Sequence, residues 1–130
     1  MIRRIRMCLA LAAVVLATQA VAHHNMTALF DFNDRVTLNG TLTQVDWRNP
    51  HTYLTVEVKN DKGQTETWQI EGPPPSFFRI RDLGKPDFEA SIGKTVTVEI
   101  SRARDKSRSG LIRTLRLPSG KMVSACPQNC

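Results

Sequence analysis

The chain has 130 residues, with 18 Lys and Arg against 12 Asp and Glu, a formal net charge of +6, and a composition that is 41% hydrophobic. This length holds one domain with a single modest core and excludes two. The charge by itself would suit a polyanionic partner, but three of the positive residues lie in a segment that export would remove.

That segment is residues 1–22. MIRRIR supplies three arginines, and MCLALAAVVLAT is an apolar run too short for a membrane span. Ala20 and Ala22 flank Val21 in the A-x-A arrangement of a signal-peptidase site, so the favoured cut falls after Ala22. It would leave 108 residues beginning at His23, with a net charge near +3. Cys8 lies too early and lacks the small apolar residues that precede a lipoprotein cysteine. The expected product is therefore free, periplasmic or secreted, and away from nucleic acid. The rest divides into an N-terminal segment (23–34), a β domain (35–124) and a tail with two cysteines (125–130).

RVTLNGTLTQVDW places Val36, Leu38 and Leu42 on one parity and Val45 and Trp47 on the other, the pattern of a long strand with a bulge near Thr43. HTYLTVEVK alternates with Leu54, Val56 and Val58 inward, and the turn NDKG leads into TETWQIE with Trp68 and Ile70 inward. These two form a hairpin. SFFRIRDLG predicts one short helix capped by Ser76, with Phe77, Ile80 and Leu83 on one face, Gly84 at its exit and Pro86 beyond. KTVTVEI buries Val96, Val98 and Ile100, LIRTLRL follows a polar loop, and PSG turns into a last strand at Met122 and Val123. Three strands, a helix and two or three strands, with a bulged first strand, give an all-β fold with one short helix. The order matches an OB-like small antiparallel β-barrel of five to six strands. An open sandwich or a meander would produce much the same alternation.

The motifs HH near the mature start, FD, VTLNGTLTQVDWRNPHTYL, W-x-x-E and LRLPSGKMV resemble those of small exported bacterial proteins known only as a domain of unknown function. The likeness covers most of residues 22–123, and WRNPH is its most specific element. It implies export and fold and brings no activity with it. GKPDFEASIG and the terminal CPQNC depart from the pattern.

The three histidines stand at 23, 24 and 51. With His23 as the N-terminus, its amine and imidazole chelate one ion, and a ring from His51 or His24 completes a T-shaped set of three nitrogens. Such tetragonal nitrogen sites suit copper(II) or nickel(II) over zinc, calcium or magnesium. A cut two residues earlier would leave Val21, Ala22 and His23, an X-X-His terminus that also grips copper(II). Met26 offers a thioether, and Asp31, Asp46 and Glu71 are acceptors able to fix a histidine tautomer. The structural alternative is a frayed terminus, with His51 bonding the backbone at a turn. A second reading needs no metal: a groove lined by Trp47, Arg48 and Tyr53 would hold a peptide, glycan or partner protein, since small barrels stack ligands at their mouths.

Cys126 and Cys130 form a local disulfide by default in an oxidising compartment. Residues 101–121 carry Arg102, Arg104, Lys106, Arg108, Arg113, Arg116 and Lys121 against Asp105, a basic stretch able to lean on an anionic membrane or to form a solvated face. There is no G-x-S-x-G, no H-E-x-x-H and no phosphate loop. A triad of Ser76 or Ser124 with His51 and Asp46 has nothing to recommend it, so the expectation is a non-enzymatic binding protein.

Overall fold

The computed structural model describes residues 26–125. They form β1 (Phe30–Asp46), β2 (Thr52–Lys59), β3 (Thr65–Gly72), α1 (Pro75–Arg79), α2 (Lys85–Glu89), β4 (Thr95–Ala103), β5 (Ser109–Arg116) and β6 (Met122–Ser124).

β1 has 17 residues, too long to stay straight in so small a domain, and it serves two neighbours. From Phe30 to Thr41 it pairs with β4, and from Thr41 to Asp46 with β2, both antiparallel. The register slips between Leu42 and Gln44, so the bulge sits at Thr43, where the parity change predicts it. Gly40 marks the crossing. A Cβ there would run into the backbone carbonyl of Glu57, so no larger residue fits without parting β1 from β2.

The β2–β3 hairpin pairs all eight residues of each strand, from Thr52 with Gly72 to Lys59 with Thr65. Its turn is held by the Asn60 side chain, which accepts the N–H groups of Lys62 and Gln64 at 3.0 and 2.9 Å. β5 then lies antiparallel to β4 and parallel to β3, with Gln69, Ile70 and Glu71 facing Ser109, Gly110 and Leu111. That pairing closes the sheet into a ring, and β6 adds to β5 outside it.

One row of paired positions runs all the way around: Asp46, Tyr53, Glu71, Leu111, Ser101 and Arg35. It leaves β1 at residue 46 and meets it again at residue 35, the stagger that tilts barrel strands. This is an OB-like barrel.

Leu38, Leu42, Leu54, Val56, Trp68, Ile70, Val96, Val98, Ile100, Ile112 and Leu115 fill the interior. Phe78, Leu83 and Phe88 join the same core from the β3–β4 connection. Here the structure corrects the expectation of one helix. α1 begins at the prolines, with Pro74 as its N-cap, and lasts only five residues. So short a helix buries only Pro75 and Phe78, the latter completely, while Ile80 is 78% exposed. Phe77 is half-buried against its neighbour's ring edge.

Gly84 is likewise a start and not an exit. It is the N-cap of α2, where its N–H donates to Asp87 Oδ2 at 2.8 Å, and Pro86 occupies the first turn. The segment after Gly84 thus supplies a second helix, with the fully buried Phe88 as its anchor.

Candidate functional site

His51 sits at the end of the turn between β1 and β2, after a cis Asn49-Pro50 bond. Its Nδ1 lies 3.2 Å from the Gly72 carbonyl oxygen and 3.3 Å from Glu71 Oε1. Both are acceptors only, so Nδ1 must carry a proton in either charge state of the ring. In the neutral ring the lone pair is then on Nε2. Hairpin register makes this possible, because Thr52 opposes Gly72 and Tyr53 opposes Glu71, which brings position 51 beside the end of β3. The His51 side chain is 31% exposed and that of Glu71 18%, a corner that is reachable yet partly dry.

Beside it, Arg48 and Asp46 form an ion pair, Nε to Oδ2 at 2.9 Å, and the Arg48 guanidinium stands 5.2 Å from the centre of the Tyr53 ring. Burial raises the Tyr53 hydroxyl above its ordinary pKa, helped by the negative charge of Glu71 and opposed by Arg48. Asp46, Arg48, Tyr53, Glu71 and His51 are therefore contiguous at one corner of the barrel.

The other residues named from sequence divide clearly. Trp47 is half-buried and packs on Phe78 and Phe88, with ring centres 5.6 and 5.0 Å apart, so most of its surface serves the core. Asp31 accepts the Asn33 N–H and lies 3.9 Å from Arg104. Met26 opens the described chain and is half-buried. His23, His24, Cys126 and Cys130 lie outside the described residues. Among the described residues no three His, Cys, Asp or Glu side chains converge as a metal cluster.

The basic stretch is not a free cationic face. Arg104 faces Asp31, Lys106 pairs with Asp34 at 2.7 Å, Arg108 with Glu66 at 3.2 Å, and Lys121 with Asp87 at 2.8 Å. Arg113 is buried at a register slip in β5, donating to Ser101 Oγ at 3.0 Å and lying 3.6 Å from Glu99. Acids from outside that stretch, Asp31, Asp34, Glu66 and Asp87, thus face four of its basic residues, and Glu99 lies beside Arg113. No described helix is long and apolar enough to cross a membrane.

The closed strand order, with the helical connection between β3 and β4, defines a small OB-like barrel with a histidine–carboxylate corner at its β1–β2 turn. The chain belongs to a family of unknown function, DUF6152, whose profile matches residues 11–113. No curated protein matches it. Among solved structures, it is similar to the crystal structure of the mitochondrial single-stranded DNA-binding protein Rim1 from S. cerevisiae, at 16% identity and a TM-score of 0.47, covering 65% of this chain and 94% of that one.

Proposed function

We propose that this protein is a non-enzymatic, exported copper(II)-binding barrel, in which His51 Nε2 completes a site begun by the amine and ring of His23 or by His24. The observation that carries this reading is the hydrogen bond of His51 Nδ1 to the Gly72 carbonyl, with the Glu71 carboxylate 3.3 Å away. Histidine ligands are commonly held this way, with one nitrogen donating to a carbonyl or carboxylate and the other left for the ion. Chain length allows the rest. Phe30 stands beside Ala103 on β4, three strand spacings or about 14 Å around the barrel from β3. Residues 26–29 form a short helical turn ahead of Phe30, which spans about 6 Å, and residues 23–25 could add about 10 Å if extended.

The test is to express the chain with its own signal, recover the exported form, and record its intact mass before and after one equivalent of copper(II). A version with extra residues ahead of His23 is the control. A mass beginning at His23, with copper uptake that the extension abolishes, supports the reading. Equal weak uptake by both forms defeats it.

A second reading draws on Arg48, which is 63% exposed and stacked near Tyr53. Together they suit a peptide or glycan. A nucleic acid is disfavoured because the outward side of β2 and β3 carries Glu57 and Glu71, and Arg48 is already neutralised by Asp46, whereas a phosphate backbone needs a track of free cations.

A further inference from the structure

We propose that the exposed runs 79–82 and 118–122 form one face that docks on an anionic lipid surface, with Arg79, Arg81 and Arg116 meeting the headgroups and Ile80 and Met122 entering between them. The inference is independent of the copper reading and uses no histidine.

Lys121 holds the two runs together, because its Nζ reaches the Asp82 carbonyl oxygen at 3.0 Å and Asp87 Oδ1 at 2.8 Å. Arg116 of β5 joins them as the cross-strand partner of Met122, with its Nη2 3.4 Å from Met122 Sδ. The neighbours of this pair, Leu115 and Val123, are buried, so strand alternation turns Arg116 and Met122 outward. Large apolar side chains that stand in water are few among the described residues, and the two most exposed are both here, Ile80 at 78% and Met122 at 60%.

Charge indicates what covers this face. Arg104, Lys106, Arg108 and Lys121 each face a carboxylate, whereas among the described residues none lies within ion-pair reach of Arg79, Arg81 or Arg116. With Lys121 neutralised by Asp87, Asp82 is the one acid left in the two runs, and three arginines against it leave a positive face. The Arg81 guanidinium stands 3.6 Å from the centre of the Phe77 ring, and its Nη1 donates to the Phe77 carbonyl at 3.0 Å, so the aromatic side chain beneath is covered. What remains is single apolar side chains separated by cations. A protein partner would bury a continuous apolar centre with aromatic anchors. A headgroup layer suits the observed pattern, since phosphates meet guanidinium groups while lone side chains enter between them.

The test is co-sedimentation with vesicles of equal parts phosphatidylglycerol and phosphatidylcholine, and with vesicles of phosphatidylcholine alone. The protein is prepared to begin at His23, so that the basic and apolar residues 1–22 contribute nothing. Arg79→Gln/Arg116→Gln removes one cation from each run, Ile80→Ser removes an apolar contact at constant charge, and Lys59→Gln/Lys62→Gln removes two exposed cations near the β2–β3 turn as the control. None of these side chains is buried, and thermal melting confirms that each variant folds. The expected result is binding to the charged vesicles only, weakened roughly tenfold to thirtyfold by the arginine pair and roughly threefold to tenfold by Ile80→Ser, with a much smaller loss in the lysine control. Equal losses from the arginine and lysine pairs, or full binding by Ile80→Ser, overturn the proposal, because net charge alone would then hold the protein. No binding to the charged vesicles also overturns it and leaves this face to an acidic protein.

Discussion

Lys121 Nζ stands 2.8 Å from Asp87 Oδ1 and 3.0 Å from the Asp82 carbonyl oxygen, so the residue before β6 ties α2 to the link that joins it to α1. Asp87 has a second duty, accepting the Gly84 N–H at the start of α2. The hydrogen bond from Lys121, then that from Gly84, holds its carboxyl below the ordinary carboxylate range.

A depressed folded pKa means stability that is present above the unfolded value, near 4, and is lost as pH falls through the folded value. Asp87→Asn should therefore lower the urea midpoint at pH 7, and the gap to wild type should shrink at pH 3. A gap that is constant across this range would show that the charge on Asp87 contributes nothing to folding.

Phe78 and Ile80 are two residues apart and differ completely in environment. Phe78→Ala should cost about 3–5 kcal/mol, because it empties the centre of the aromatic cluster with Trp47 and Phe88. Ile80→Ala should change stability by less than about 0.5 kcal/mol, since the side chain is already in water. Chemical denaturation of both variants measures the contrast.

The same pair shows where the sequence is legible and where it is not. Phe77, Ile80 and Leu83 satisfy helical spacing, and only the early start imposed by Pro74 and Pro75, with termination after five residues, turns Phe78 inward instead. The strands were easier. A parity change can be satisfied only by an extra residue, so the bulge at Thr43 was readable. Counting outward from the NDKG turn pairs Tyr53 with Glu71, and hence brings His51 toward Glu71 and Gly72.

The parallel β3–β5 closure is different. It joins strands separated by both helices and β4, with no local signal. The partners of the basic stretch were hidden for the same reason, since Lys106 meets Asp34 and Arg104 meets Asp31 only after the barrel curls.

Gly40→Ala tests that curl. The new methyl would meet the Glu57 carbonyl, so β1 must move away from β2 beside the bulge. The expected loss is about 1–3 kcal/mol, the usual cost of overpacking, and early hydrogen exchange at the Thr41–Glu57 pair should accompany it. Unchanged stability and exchange would mean that β1 bends elsewhere.

Arg113 offers an asymmetric test. Its side chain is 5% exposed, so removing its acidic neighbour leaves a sheltered guanidinium with less compensation. Glu99→Leu should cost about 1–2 kcal/mol, less than for a fully buried pair because Glu99 is still 31% exposed. Arg113→Met, which removes the charge together with its need for a partner, should cost less than Glu99→Leu. Equal losses would place the energy in packing and not in charge. Urea titration of the two variants decides between them.

The most direct measurement is frozen-solution electron paramagnetic resonance of the protein prepared to begin at His23, with one equivalent of copper(II), compared with His51→Ala. The account predicts a tetragonal spectrum with coupling to three nitrogens, and the loss of one nitrogen in the variant. Identical spectra from the two proteins would contradict it, because His51 would then not touch the ion.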